Sequence, residues 1–258
     1  MSLLAQLSDP HVDVGPGDTG SAAALTAAVR AVLRLDPAPD AVLVSGDIAN
    51  RADAASYERA AELLARLPMP VHVLPGNHDD RAELRAAFPS AAADGAADAP
   101  YRWAVRCGGL RLVGCDTTIA GHDGGQLDTD ALAWLVTTLD DDLDTPTILA
   151  MHHPPIAIGI AALDAIGLPP DDRWALSGLL ETSPRIRRVV CGHVHRAVAG
   201  ELGGVGVFTC PSVYLQARLD LGGDAGGEIV LEPGAPAFGL HALMPDTRVV
   251  SHVEPVRG

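Results

Sequence analysis

Short apolar runs alternate along the chain with segments whose apolar residues recur at helical spacing. In the first third of the chain this alternation predicts strands at residues 3–7, 41–44 and 71–74. The helices predicted between and after these strands are residues 21–35, 54–67 and 80–88. Strands that alternate with helices are typical of a parallel sheet with crossover connections.

Two glycine pairs, Gly108-Gly109 and Gly203-Gly204, interrupt this alternation. Each pair separates two strand-like runs, which predicts antiparallel hairpins over residues 101–115 and 197–210. Between the hairpins we expect strands at 147–151 and 188–191, and helices at 128–139 and 173–181, with Asp128 as an N-cap. Residues 90–100 are predicted to be a loop.

The whole pattern predicts a mixed α/β fold in which two sheets carry helices on their outer faces. We expect one main domain over residues 1–211 and a strand-rich extension over 212–258 within the same structural unit. The extension either caps a site or makes a contact in a homodimer, or it forms an ordinary edge of the second sheet.

Composition narrows the possible partners. The 258 residues carry a formal net charge of −15 and contain no Lys, so a nucleic-acid polymer would meet broad repulsion. The chain lacks an apolar run of about 18 residues, which disfavours membrane insertion, and the lack of a basic leader disfavours secretion. Four cysteines without CxxC spacing indicate reduced thiols and a cytoplasmic location, and the Arg-, Ala- and Gly-rich usage indicates a bacterial source.

Five polar motifs stand just after predicted strands, where open α/β sheets place their ligand sites. Six of the ten histidines fall within them. The motifs are Asp9-Pro10-His11, Gly46-Asp47, Gly76-Asn77-His78-Asp79, Met151-His152-His153-Pro154 and Gly192-His193-Val194-His195.

The first two motifs are ambiguous when taken singly. If the chain stays extended, Asp9 and His11 point to the same side and can chelate one ion, although a polar strand end also produces this pattern by chance. Asp47 is either a helix N-cap or a carboxylate that offers one oxygen to each of two ions. Gly46 before it allows close backbone approach.

The later motifs are more specific. Asn77 alone could be a turn residue, but His78 and Asp79 beside it favour a functional role in phosphate chemistry. Adjacent histidines in a strand point to opposite faces, so one ligand is expected from His152-His153. His193 and His195 point the same way and can reach two neighbouring ions.

Seven candidate ligands are enough for two four-coordinate ions if one carboxylate is shared. Their mixed nitrogen and oxygen chemistry without thiolate suits Mn, Fe, Zn or Co, with Fe and Mn favoured. The candidates are Asp9, His11, Asp47, Asn77, His152, His193 and His195.

The motif series over residues 9–195 resembles the calcineurin-like metallophosphoesterase superfamily, most closely its bacterial class III cyclic nucleotide phosphodiesterases and related glycerophosphodiesterases. The resemblance implies a four-layer αββα sandwich. It also implies that one ion is held by Asp9, His11, Asp47 and His195, and the other by Asp47, Asn77, His152 and His193. His152 is favoured over His153 because the family's ligand stands two residues before a proline.

The resemblance further implies catalytic roles for His78, Asp79 and Asn77. His78 would contact the substrate phosphate, Asp79 would orient His78, and a water activated by both ions would attack phosphorus. Asn50, where many relatives carry Asp, is expected to alter the bonding around Asp47. The implied substrate is a small phosphodiester, most readily 3′,5′-cyclic AMP.

Three alternatives stay open from the sequence. The same centre could hydrolyse glycerophosphodiesters, or it could act on phosphomonoesters and nucleotides. A protein scaffold without catalysis is disfavoured because no ligand is missing from the series. Residues 157–170 and 213–226 are predicted to overhang the metal ions and to select the substrate.

Overall fold

The computed structural model describes residues 1–16, 20–89, 96–224 and 226–257. In chain order the strands are β1 (Ser2–Leu7), β2 (Ala41–Ser45), β3 (Val71–Leu74), β4 (Arg102–Cys107), β5 (Leu110–Cys115), β6 (Thr118–Ile119), β7 (His122–Gly125), β8 (Thr147–Ala150), β9 (Ile186–Cys191), β10 (Val198–Leu202), β11 (Val205–Thr209), β12 (Leu215–Ala217), β13 (Leu231–Pro233), β14 (Ala237–Leu243) and β15 (Val249–Pro255). The helices are α1 (Ser21–Leu33), α2 (Ala54–Leu64), α3 (Arg81–Ala87), α4 (Thr129–Asp140), α5 (Ala161–Asp164) and α6 (Pro170–Glu181).

The first sheet has the strand order β15-β14-β1-β2-β3. Its strands β1, β2 and β3 run parallel, connected by α1 and α2 as predicted. Strand β14 pairs antiparallel with β1, and β15 pairs antiparallel with β14. The parallel part of this sheet therefore brings three strand ends to one edge.

The second sheet has the order β10-β11-β9-β8-β5-β4. Both glycine pairs form the predicted antiparallel hairpins, β4–β5 and β10–β11. Strands β5, β8, β9 and β11 are parallel to one another. The carboxyl ends of β8 and β9 consequently lie side by side.

Alternate residues on the second sheet belong to two different cores. Leu112, Ile148 and Val190 pack in one core with the first sheet, α1 and α2. Their neighbours Val113, Leu149 and Val189 pack in a separate core with α4 and α6. Because successive strand side chains point to opposite faces, the layers are helix, sheet, sheet, helix. The predicted four-layer sandwich is confirmed.

Local sequence patterns correctly predicted the positions of several helices and strands. Asp128 caps α4 by accepting a hydrogen bond from Ala131 N at 2.7 Å, as predicted. The strand at 71–74 and the strand at 110–115 have the predicted bounds. The short elements β6, β7 and α5 were missed, because two to four residues are too few to show a period. Of the predicted loop 90–100, residues 90–95 lie outside the described part.

The tail does not form an edge of the second sheet, so that expectation was wrong. Strands β14 and β15 complete the first sheet, and β12 and β13 form a separate hairpin. The division into 1–211 and 212–258 stays a prediction. All four cysteines are free and buried, in agreement with reduced thiols. Within the described residues, no helix has both the length and the apolar character needed to span a bilayer.

A buried histidine between the two sheets makes stability depend on pH. His241 Nε2 lies 2.9 Å from Gln6 Oε1, and its Nδ1 lies 2.8 Å from Ser251 Oγ. Burial, together with Arg188 and His252, lowers the pKa of His241 to about 3. Below pH ~6.5 this histidine is protonated in the unfolded chain but stays neutral in the folded protein. The free energy of unfolding therefore decreases as the pH is lowered from about 6.5 to about 3.

We expect His241→Gln to remove one part of this acid sensitivity, because an amide keeps a donor towards Gln6 but does not titrate. As the pH is lowered from 6 to 4, the free energy of unfolding of the natural protein should fall more steeply than that of the variant. The difference in slope should be about 1 kcal/mol per pH unit. Urea unfolding at several pH values measures the difference. The exposed His122, which is not among the groups that shift the pKa of His241, provides the control His122→Gln, and equal slopes for the natural protein and His241→Gln would refute the assignment.

Candidate metal centre

The seven candidate ligands meet where the carboxyl ends of the two sheets converge. From the first sheet, Asp9 and His11 follow β1, Asp47 follows β2 and Asn77 follows β3. From the second sheet, His152 follows β8, and His193 and His195 follow β9. The predicted placement after strand ends is therefore confirmed for all five motifs.

The backbone at these strand ends turns into the left-handed region. Positive φ angles occur at Asp9 (50°), His11 (44°), Asp47 (50°), His193 (69°) and His195 (48°). This conformation is uncommon for residues with a side chain and concentrates at functional sites. The expectation that Asp9 and His11 converge through an extended segment was wrong, since sharp turns bring them together.

Two glycines make room for this convergence. Gly46 has φ 102°, and a Cβ on it would overlap the ring of His152. A Cβ on Gly76 would overlap the Asp47 carboxylate and His152. Any larger residue at these positions would therefore push the candidate ligands apart.

The first ligand set contains Asp9, His11, Asp47 and His195, whose donor atoms all lie within 4.8 Å of one another. His11 Nε2 lies 3.0 Å from His195 Nε2 and 3.4 Å from Asp47 Oδ2. His195 Nε2 lies 3.8 Å from Asp9 Oδ1. Four buried donors thus point at one small volume.

The second set adjoins the first through Asp47. His152 Nε2 lies 3.6 Å from Asp47 Oδ1 and 3.1 Å from Asn77 Oδ1. His193 Nδ1 lies 3.0 Å from the same Asn77 oxygen. Asp47 therefore directs one oxygen into each set, which is the arrangement of a bridging carboxylate and not that of a helix N-cap.

Hydrogen bonds fix the ring nitrogen that each of two histidines offers. His152 Nδ1 donates to Ser45 O at 2.8 Å, and His195 Nδ1 donates to Leu215 O at 2.8 Å. Each Nε2 consequently carries a lone pair towards the shared volume. Histidine metal ligands are commonly oriented by such a bond from the other nitrogen.

Burial shapes the charge of the site. Burial lowers the pKa of His11 to about 3 and also lowers the pKa of His193 and His195, so these rings stay neutral. Burial, followed by the Asp47 carboxylate, raises the pKa of Asp9 well above its usual value. Neutral imidazoles beside carboxylates that repel each other fit a bound cation, which would offset the repulsion.

His153 lies close to the second set, yet both its ring nitrogens have protein partners. Its Nδ1 is 2.8 Å from Thr117 Oγ1, and its Nε2 is 3.1 Å from Asp123 O. Its ring packs against His193 with centroids 4.5 Å apart. Donor atoms of His152, His153 and His193 lie within 4.8 Å of one another. Of the two adjacent histidines, His152 is the one with a nitrogen close to both Asn77 and Asp47, and His153 connects the β6–β7 region to the site.

His78 is oriented by a different residue from the one predicted. Its Nδ1 lies 3.0 Å from the backbone oxygen of Asn50, and its backbone N–H donates to Asp47 Oδ1 at 2.9 Å. The side chain of Asn50 donates to Asp13 Oδ2 at 3.3 Å and not to Asp47. The expected bonding between the Asn50 side chain and Asp47 is therefore not present among the described hydrogen bonds.

The expectation that Asp79 orients His78 was wrong. The Asp79 carboxylate accepts hydrogen bonds from the backbone N–H groups of Ile48, Ala49 and Gly76 and from Tyr57 Oη. It thereby ties the loop after β2 to the loop after β3. Asp79 positions the segments that carry Asp47 and Asn77.

A cavity of about 160 Å³ opens beside the two ligand sets. Residues from both segments predicted to overhang the metal ions line it, among them Leu163, Ile166 and Tyr214. Ile229 and Leu231 line it as well and were missed, because they follow the predicted segment in sequence. The pairing of β13 with β12 brings Ile229 and Leu231 to the cavity. No local sequence pattern predicts that pairing.

The fold and the paired ligand sets define a metal-dependent hydrolase of phosphate esters. The sequence profile of calcineurin-like phosphoesterases matches residues 3–197. The chain belongs to this family. The predicted enzyme class, a metal-dependent phosphoric diester hydrolase, is confirmed by this membership together with the relatives described next.

Curated relatives from bacteria are about a third identical to the chain over the aligned residues. A glycerophosphodiester phosphodiesterase of Enterobacter lignolyticus is 34% identical over 229 residues, covering 83% of this chain and 78% of the relative. A cAMP/cGMP dual specificity phosphodiesterase of Mycobacterium tuberculosis is 34% identical over 226 residues, covering 85% and 67%. A 3′,5′-cyclic adenosine monophosphate phosphodiesterase of Pseudomonas aeruginosa is 30% identical over 250 residues, covering 95% and 84%.

Solved structures support the same fold. A dimetal phosphatase from Danio rerio superposes with a TM-score of 0.74 at 17% identity, over 99% of this chain and 96% of that one.

Proposed function

We propose that this protein hydrolyses small phosphodiesters at a centre of two metal ions that share Asp47. Asp9, His11 and His195 would hold one ion with Asp47, and Asn77, His152 and His193 would hold the other. The observation that supports this proposal most directly is that the two Asp47 oxygens point into two adjoining sets of buried donors. When bound, such ions neutralise the phosphate and lower the pKa of water towards neutrality.

His78 is proposed to act on the substrate and not on the ions. Its side chain lines the cavity, and its Nδ1 is engaged by Asn50 O, so its Nε2 is left for the phosphate or the departing oxygen. Asn50 O can only accept, so Nδ1 carries a hydrogen. With a second hydrogen on Nε2, as in an imidazolium, the ring would donate a hydrogen bond or a proton to the leaving alkoxide. Asp79 contributes indirectly by holding the loops that carry Asp47 and Asn77.

We propose 3′,5′-cyclic nucleotides as the substrates, with cyclic AMP first. The support is the likeness to the Mycobacterium tuberculosis and Pseudomonas aeruginosa enzymes and the position of the cavity beside both ligand sets. Glycerophosphodiesters are the second candidate, favoured by the likeness to the Enterobacter lignolyticus enzyme. Phosphomonoesters and nucleotides are a third candidate, which shares the same centre.

The donor chemistry supports Fe or Mn among Mn, Fe, Zn and Co, since imidazole, carboxylate and amide oxygen suit these ions. We also propose that the protein acts in the bacterial cytoplasm, in keeping with four free cysteines. A lack of affinity for nucleic-acid polymers is part of the same proposal, supported by the net charge of −15. We also propose a homodimer and no association with membranes.

A substrate panel with added Mn²⁺ tests the proposal. We expect turnover of cyclic AMP and of bis-(p-nitrophenyl) phosphate, with slower release of phosphate from a monoester, and loss of all activity after chelation. Glycerophosphoethanolamine as the best substrate would establish the second candidate instead. If no diester turns over under any metal condition, the proposed function is refuted and the scaffold alternative takes its place.

A further inference from the structure

The cavity beside the ligand sets has an apolar wall that metal chemistry does not require. Ile229 and Leu231 come from the tail, and Leu163 and Ile166 come from α5 and the turn after it. Ile229 is 37% exposed and Leu231 is 40% exposed. Large apolar side chains that meet water beside a polar centre are typical of a surface that a ligand covers.

This wall is fixed to the metal centre. Strand β12 places Ala217 opposite Leu231 of β13, and Arg218 N donates to Val230 O at 2.9 Å. The same strand offers Leu215 O to His195 Nδ1. The wall is therefore held in position before any substrate arrives, which lowers the entropic cost of binding.

The charges around the cavity restrict what the wall can receive. No Arg side chain is among the described residues that line this cavity, and the chain has no Lys. A second phosphate or a carboxylate on the substrate would thus find no Arg or Lys side chain among the described lining residues. An uncharged group that buries apolar surface fits the lining.

We propose that Ile229 and Leu231, with Leu163 and Ile166, form a subsite that binds an apolar ester group of a singly phosphorylated substrate. This inference rests on the proposed function, because the metal ions are what place the phosphate at the edge of the subsite. It predicts that the protein prefers aromatic over small polar ester groups on the same phosphate.

Phenylphosphonate and methylphosphonate are matched probes, since they differ only in the apolar group. Calorimetric titration of the Mn²⁺-loaded protein should show about tenfold tighter binding of phenylphosphonate, in keeping with partial burial of its ring. In the double variant Ile229→Ser/Leu231→Ser, the affinities for phenylphosphonate and methylphosphonate should differ by no more than about twofold. The affinity for methylphosphonate should be the same as in the natural protein. Both side chains are exposed, so the substitutions leave the core intact.

Leu219 and Leu221 provide the control. They lie in the same loop and are 54% and 66% exposed, yet they are not among the residues that line the cavity. Leu219→Ser/Leu221→Ser should keep the tenfold preference. Equal binding of the two phosphonates by the natural protein, or a preference that survives Ile229→Ser/Leu231→Ser, overturns the subsite even if diesters are hydrolysed. No binding of either phosphonate and no diester hydrolysis overturns the subsite and the proposed function together.

Discussion

Asp47→Asn is expected to reduce the metal content of the purified protein from two ions per chain to one or none. The reason is that each Asp47 oxygen faces a different ligand set, with His11 Nε2 3.4 Å from Oδ2 and His152 Nε2 3.6 Å from Oδ1. The Asn side chain has the same shape as Asp, but it offers one neutral oxygen to metal ions where the carboxylate offers two charged ones. We expect kcat for diesters to fall at least about a thousandfold, because metal ions supply several kcal/mol of transition-state stabilisation.

Elemental analysis and steady-state kinetics on the same preparation measure both effects. Asp172→Asn is the control, since Asp172 lies outside both ligand sets and accepts a hydrogen bond from Leu127 N. That variant should keep two ions and natural turnover. Two ions and an unchanged kcat in Asp47→Asn would exclude the bridging role.

His78→Ala is expected to lower kcat for alkyl diesters about a hundredfold or more and to leave the metal content at two. General acid catalysis by a positioned side chain contributes roughly 10² to 10⁴ in rate. His78 belongs to neither ligand set, and Asn50 O and the Asp47 carboxylate fix its ring and its backbone. The substitution therefore removes a donor to the substrate without removing a metal ligand.

The choice of leaving group separates this role from a structural one. p-Nitrophenolate departs without a proton at neutral pH, so bis-(p-nitrophenyl) phosphate should lose much less turnover in His78→Ala than cyclic AMP does. His122→Ala is the control, because His122 is exposed and does not line the cavity. An equal loss with both substrates would contradict proton donation by His78.

The sequence predicted the layers and the ligand clusters because both depend on strong local signals. Apolar strands such as β2 are continuous, and each ligand follows a strand end, where parallel sheets place their sites. Once the strand order and the packing of the two sheets are set, Asp9, Asp47 and His193 come together where the carboxyl ends of both sheets converge.

The sequence could not predict the features that depend on backbone turns and distant pairing. Left-handed φ angles at Asp9 and His193 replaced the expected extended chain. The hydrogen bonds of Asp79 go to backbone groups of the loop after β2 rather than to the neighbouring His78, a choice set by the packing of two loops. Leu231 reaches the cavity only because β13 pairs with β12 across a long loop.

The account depends most on two ions that share one carboxylate. The most direct measurement is a crystal structure of the Mn²⁺- or Fe-loaded protein with anomalous scattering recorded at the absorption edge of the metal. We predict two anomalous peaks per chain, one among Asp9, His11 and His195, the other among Asn77, His152 and His193, with one Asp47 oxygen bound to each. A single peak, or two peaks without a shared Asp47, would contradict the account.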